Sequence, residues 1–274
     1  MSIMHYIGFD IHKKVISFCE KKVDGGTVVD QGVICANRAS LTKWAEKRTA
    51  EWIEAMEATL FTGWIYDFLL PYSLELKVAH PEMLKAITAA KKKNDASDAE
   101  KIADLLRCNL LPECYMLSEE QRNLRRILRY RNLLVREAAK MKTKTASLLM
   151  EVGAEYNKAR LHGTKYFQEL LGSLDYVPES VLSLLQMTRS NMESFAKMQK
   201  SLISALRSNP QISSRVELLM SIQAVGEVTA LTWVLEIGDV ERFSLGRLNP
   251  FFSLITFRNR HGYLTASFQK PMSI

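Results

Sequence analysis

Four carboxylates are spaced along the chain in a pattern that suits a hard divalent cation. Asp10 ends an apolar stretch in "YIGFDIHKK", Glu57 closes another in "EWIEAMEATLFTGW", and Asp95 and Asp98 stand together in "KKKNDASDAEKIADLLR". Positions three apart on a helix are neighbours, about 5–6 Å between Cβ atoms, so Asp95 and Asp98 share a face. Oxygen donors drawn from three separate elements suit Mg²⁺ or Mn²⁺, which keep water and substrate phosphate in their remaining positions. Two such ions about 4 Å apart clamp the attacking and leaving oxygens of a phosphodiester. Taken singly, each acid also has an ordinary explanation. Asp95 and Asp98 suit the positive end of a helix beside Lys91, Lys92 and Lys93, Asp10 can end a strand, and Glu57 can start a helix. The chemistry depends on whether the surrounding elements bring all four to one place.

Those elements alternate over the first 115 residues. "HYIGFDIHKKVISFCEKK" and "TVVDQGVICA" are β-rich with "DGG" as a turn between them. "NRASLTKWAEKR" reads as a capped helix, "EWIEAMEA" as a short buried strand, and "TGWIYDFLL" as a helix up to Pro71. "LELKVAHP" predicts another strand ending at Pro81, and the stretch holding Asp95 and Asp98 opens a helix running towards Leu111. Three strands, a helix, a strand, a helix, a strand and a helix is the order of the ribonuclease-H-like fold. An ordinary α/β domain with a parallel core is the fallback. In the ribonuclease-H-like order the first strand, the strand after the first helix and the final helix each carry acids to one site. His12 and His80 lie near these acids and read as packing or surface residues.

From Ser118 the pattern turns wholly helical. No Gly or Pro interrupts the chain from there to Gly153, and Ser118 with Gln121 reads as a capping box. Leu124, Ile127, Leu128, Leu134, Val135, Ala138, Met141, Leu148 and Leu149 fall on one helical face. Arg122, Arg125, Arg126, Arg129, Arg136, Lys140 and Lys144 fall on the opposite one. Residues 121–144 hold nine Lys or Arg against Glu137 alone, a net of +8 that exceeds the +7 of the whole chain. A stripe of one sign points to phosphate contacts, which position nucleic acid without reading its bases. A second helix is predicted from about Pro178 to Arg207, with Val181, Leu185, Met192, Phe195, Leu202 and Leu206 near heptad spacing. The two helices read as an antiparallel or intermolecular coiled coil. "SIQAVGEVTALTWVLEIGDVERF" then resembles half of a helix-hairpin-helix, a form that meets nucleic-acid backbone through main-chain amides.

Composition bounds the rest. The 274 residues predict two or three units, and 47% hydrophobic content is enough to build cores. The basic balance, 37 Lys and Arg against 30 Asp and Glu, favours nucleic acid or an anionic surface. No apolar run approaches a membrane span and the N-terminus lacks the parts of a secretory signal. Cys19, Cys35, Cys108 and Cys114 show no Cys-x-x-Cys spacing and predict reduced, mostly buried thiols in a cytoplasmic protein without zinc. Nucleotide-binding glycine loops, zinc-protease motifs and a "GxSxG" elbow are all missing from the sequence.

With these residues in view the chain resembles a known family. Asp10, Glu57 within "EATLFTGW", and Lys93-x-Asp95-x-x-Asp98-Ala99 are similar in order and separation to the DEDD transposases of the insertion-sequence-110 group, relatives of the Piv invertases. The resemblance covers roughly residues 4–248. It implies an α/β plus α architecture: a ribonuclease-H/RuvC-like catalytic domain over 1–115, a helical coiled-coil arm over 116–210, and a partial C-terminal helical transposase domain over 211–274. It implies that Asp10, Glu57, Asp95 and Asp98 are catalytic and bind metal, with Mg²⁺ or Mn²⁺ as cofactor. DNA cleavage and strand transfer, a C-terminal serine nucleophile, homo-oligomers, a structured guide RNA and a bacterial or archaeal cytoplasm are implied in the same way. Alternatives are a RuvC-like junction nuclease and an inactive nucleic-acid-binding remnant. Two departures stand out. The family's turn has two glycines where this chain has Ala224 and Gly226. After "GDVERFSLGRL" the family pattern is lost, which predicts a frameshift or truncation near Asn249. Ser253 and Ser267 lack the family's flanking residues, so the nucleophilic serine is left unnamed.

Overall fold

The protein, seen as a computed structural model, is described over residues 4–87, 95–240, 257–259 and 262–264, with side chains over 4–87 and 98–240. It divides into two compact units, residues 1–119 and 120–274. The expected arm and the expected C-terminal domain both fall within the second.

In the first unit, β1 (His5–Ile11), β2 (Val15–Lys22) and β3 (Val28–Cys35) form an antiparallel meander. Helix α1 (Arg38–Glu46) crosses to β4 (Trp52–Glu57), and α2 (Thr62–Leu69) to β5 (Glu75–Ala79), both strands joining parallel on the far side of β1. The sheet order β3-β2-β1-β4-β5 is that expected of a ribonuclease-H-like domain. Alternation sets the faces. Ile7, Phe9 and Ile11 of β1 join Trp52 and Met56 of β4 in a core sealed by Leu41, Trp44, Ile65 and Leu69 of α1 and α2. Asn37 starts α1 as its side chain accepts the Ser40 amide at 2.9 Å, the usual way to satisfy a first-turn N–H.

The other face is covered by α4 (Asp95–Arg107), whose Ile102 and Leu106 pack with Ala55, Ala79 and Leu84. Two boundaries differ from expectation. Pro81 opens a short helix, α3 (Pro81–Ile87), because a proline at the first helical position gives up an N–H that has no intrahelical partner anyway. Helix α4 stops at Arg107, short of Leu111. Asn109 turns left-handed (φ 54°) and the Leu110 amide bonds back to the Leu105 carbonyl at 2.8 Å, closing the helix.

The second unit is built on a long antiparallel pair. Helix α5 (Glu119–Glu151) ends at left-handed Gly153, and α7 (Glu179–Arg207) returns beside it. At one end Leu124 and Leu128 of α5 meet Leu206 of α7. At the other end Leu148 and Leu149 pack with Leu185, and one turn in from them the Thr145 and Thr188 hydroxyls share a buried hydrogen bond of 2.9 Å. Helix α6 (Thr164–Gly172) closes that end, while α8 (Ser213–Met220) and α9 (Glu227–Ile237) close the first. Val135, expected on the apolar face of α5, is instead exposed. Strands β6 (Phe257–Asn259) and β7 (Gly262–Leu264) pair antiparallel.

All four cysteines are free thiols; Cys19 is buried and Cys114 partly so, but Cys35 and Cys108 are exposed, against the expectation of mostly buried thiols. Among the described residues no helix is long and apolar enough to cross a membrane.

Candidate active site

Strand register brings the first two acids together. Phe9 of β1 pairs with Met56 of β4 in parallel, so Asp10 and Glu57 occupy the next position on adjacent strands. Because Phe9 and Met56 face the core of α1 and α2, Asp10 and Glu57 belong to the opposite face, which α4 covers. Asp10 is buried, at 9% exposure. The chain leaving Glu57 is pinned: its carbonyl accepts the Thr62 hydroxyl at 2.9 Å, and that hydroxyl oxygen accepts the Thr59 amide at 2.7 Å.

Helix α4 is held so that its start approaches the same edge. A Cβ on Gly8 would lie 2.2 Å from the Ala99 carbonyl oxygen and 2.4 Å from the Ala103 nitrogen, so only glycine lets the helix backbone come this close. At the next position of each turn, the buried Lys21 ammonium donates to Glu100 at 3.0 Å and Asp104 at 2.7 Å. Lys21 pairs with Tyr6, so α4 runs antiparallel to β1 and its earlier residues lie towards Asp10. Asp95 begins this helix, and Asp98 immediately precedes the buried Ala99, which with Ile102, Ala103 and Leu106 forms the stripe that faces the sheet.

The described side chains are not all gathered. Asp98 Oδ1 accepts from Lys101 Nζ at 2.8 Å, a pair one turn along the same helix. Among the described residues no group of three or more His, Cys, Asp or Glu is arranged to hold a metal ion. The Asp95 side chain and all of Lys91, Lys92 and Lys93 lie outside the described residues, as do Ser253 and Ser267. His12, read from sequence as packing or surface, stands 3.1 Å through Nε2 from Asp10 Oδ2. Its signal was the i,i+2 spacing: both residues flank the strand end, where alternation returns a side chain to the same face.

The basic stripe of α5 divides on inspection. Arg125 donates from Nε to the Leu235 carbonyl and from Nη2 to the Glu236 carbonyl, both at 2.9 Å, and so caps the end of α9. Arg129 grips the Glu236 carboxylate with two bonds of 3.0 and 2.9 Å. Burial works to raise the Glu236 carboxyl, but the Arg129 bonds and the Arg125 and Arg129 charges outweigh it and hold the group below its ordinary range. These two arginines are tied to the fold. Arg126 and Arg136 are exposed, and Arg126 donates to Asn123 of its own helix at 2.8 Å. Lys140 pairs with Glu137 at 2.7 Å and Lys144 with Glu151 at 3.5 Å, exposed contacts that add little stability. Arg122 is half-buried.

Comparison with known proteins agrees with the sequence motifs. A family profile for the DEDD transposases of the IS110 group, described as transposase, matches residues 7–153 and so spans β1 through α5. The transposase for insertion sequence element IS1533 of Leptospira borgpetersenii is 22% identical over 258 residues, which cover 90% of this chain and 74% of that protein. A match over more than half the chain, on the domain whose sheet and helix carry the acidic pattern, places the protein in the IS110 family of DEDD transposases, enzymes that process DNA.

Proposed function

We propose that the protein cleaves and transfers DNA strands in the transposition of an insertion sequence, with Asp10, Glu57, Asp95 and Asp98 as its metal-binding carboxylates. One observation carries the reading: Asp10 and Glu57 stand at matched positions on adjacent parallel strands, on the face covered by the helix that begins with Asp95. The donor set fits a hard cation, being carboxylate oxygen throughout. The described side chains alone do not make a three-ligand cluster, so Asp95 is needed to complete it and Asp98 must leave Lys101. Mg²⁺ or Mn²⁺ bound there would neutralise charge on the scissile phosphate and lower the pKa of an attacking oxygen.

The chain's own residues do the placing. Glycine at position 8 lets α4 lie close against β1, and the Lys21 clamp holds its height along the strand. His12 holds the Asp10 carboxylate in one orientation from outside the sheet. The exposed cations Arg126 and Arg136 contact DNA phosphates, and Lys91, Lys92 and Lys93 extend that role. A structured guide RNA and assembly into homo-oligomers complete the proposal, on the strength of family membership.

The test is calorimetric and chemical. Mg²⁺ or Mn²⁺ should bind the full chain, and Asp10→Asn and Asp95→Asn should each abolish that binding together with cleavage of the element's DNA ends. Equal metal binding in both variants would overturn the assignment of the acids.

A further inference from the structure

The second unit contains a cleft of about 550 Å³ between α5, α7 and the first turn of α9. That volume lies within the roughly 300–1,000 Å³ of ligand sites. Arg131 lines it from α5, Lys200 and Arg207 from α7, and Glu227 from the start of α9. Three cations against one carboxylate leave the lining positive. Ser204 adds a hydroxyl along the same wall, while the Ser208 hydroxyl beside it donates to the Ala205 carbonyl at 3.3 Å.

The internal partners do not use up this donor capacity. Arg131 donates through Nη1 to Asn132 at 3.1 Å, but its buried Nε has no partner among the described residues. Lys200 is exposed and has no acidic partner among them. Glu227 is engaged by Arg207, Nη1 to Oε1 at 3.1 Å, which moderates the carboxylate rather than leaving it to repel an anion. Gly226 caps the eleven-residue α9 from an extended conformation and offers no side-chain acceptor to its first turn. The positive end of that helix therefore adds to the field of the cations. None of Arg131, Lys200 and Arg207 belongs to the α5 stripe read from the sequence, because two of them lie on α7 and Arg131 points to another face.

We infer that this cleft seats backbone phosphates of a nucleic-acid strand, as a phosphodiester site separate from both the four acids and the α5 stripe. The inference deepens the reading of the chain as a DNA-processing enzyme and takes its class of partner from it. The cleft is open, sets its charged groups among the apolar Ala196, Ile203 and Val228, and is free of the aromatic platforms that stack bases. Its chemistry reads phosphate, not sequence. A duplex and a folded RNA both present that group, so the two must be compared.

Fluorescence anisotropy with the full chain decides it, using a labelled duplex DNA and a labelled RNA hairpin of equal length across a salt series. Arg131→Gln with Lys200→Gln should weaken binding at least tenfold to whichever probe occupies the cleft. It should also flatten the salt slope by about 0.9 per lost contact on duplex, or about 0.7 on a single strand. Lys200→Gln alone changes an exposed side chain and should give half that loss with an unaltered melting temperature. A photo-crosslinking residue at Ser204 should form an adduct with the same probe and not with the other. Parent-like affinity and slope in both variants, with the parent binding normally, would overturn the cleft and leave the enzyme assignment standing. A parent that bound neither probe would overturn both.

Discussion

Glu54 is a fully buried carboxyl one residue from the alternation that presents Glu57. It faces the α1 and α2 core with Trp52, whose indole donates to Oε2 at 3.1 Å. Burial pushes its pKa from 4.5 up to about 8, more than the indole bond and the Arg48 charge pull it down. The folded state therefore keeps a proton that the unfolded chain gives up. Stability from this group is complete below the unfolded pKa and is lost as pH rises through the folded value. Denaturant midpoints of the parent should fall between about pH 5 and pH 9, and Glu54→Gln should flatten that fall, the gap reaching a few kcal/mol. A parallel pair of curves would show that Glu54 ionises freely. Ala224 is strained in its backbone, left-handed at φ 69° in the turn before α9. Ala224→Gly should raise stability by about 0.5–1 kcal/mol in chemical denaturation, since glycine adopts that conformation without a Cβ clash. The loss of the family's first glycine was legible in the sequence, and so were the four acids. Glu54 was not, because a strand reading assigns inward positions to apolar residues and offers no place for a neutral acid. His12 is exposed, in keeping with a surface reading, and its contact with Asp10 was not legible because that distance depends on where β1 ends.

At the scale of elements, α4 carries half of the acidic pattern and its seat is narrow. Ala99 and Ala103 meet Gly8 with no room for a methyl group, and Lys21 ties Glu100 and Asp104 to β2. Gly8→Ala should cost about 1–3 kcal/mol as an overpacked contact, and more if the backbone cannot shift. The helix can yield only by moving away from β1, so Asp95 and Asp98 should move with it. Metal affinity should then fall in Gly8→Ala even at temperatures where the variant is folded, as calorimetry below its melting point would report. Unchanged affinity would mean that α4 does not set the geometry of the acids. The order of β-rich runs, turns and helix signals foretold this helix and the strands of the sheet. Helix ends were less legible. Asn109 and Pro81 act through backbone conformation, one by turning left-handed and the other by starting a helix where it was expected to end a strand.

Across the whole molecule, positive charge serves two purposes that composition cannot separate. The sequence shows a helix segment of net +8 in a chain of net +7, which reads as one continuous phosphate-binding stripe. Within the second unit, Arg125 and Arg129 instead fasten α9 to α5, joining residues 110 and 107 positions apart, and a sequence pattern confined to one helix cannot report contacts at that separation. The two roles make opposite predictions. Arg125→Gln removes charged hydrogen bonds to two carbonyls in a half-buried site and should destabilise the second unit by about 1.5–3 kcal/mol. Its effect on the salt dependence of DNA binding should be small wherever the variant remains folded. Arg126→Gln and Arg136→Gln change exposed side chains, so they should leave the melting temperature within about 1 °C of the parent while each flattens the salt slope on duplex DNA by about 0.9. Melting curves and salt titrations on the same three variants separate the roles. A normal slope in both exposed-arginine variants would return the stripe to the solvated face of a helix. A flattened slope in folded Arg125→Gln would mean that DNA displaces α9 from its anchor.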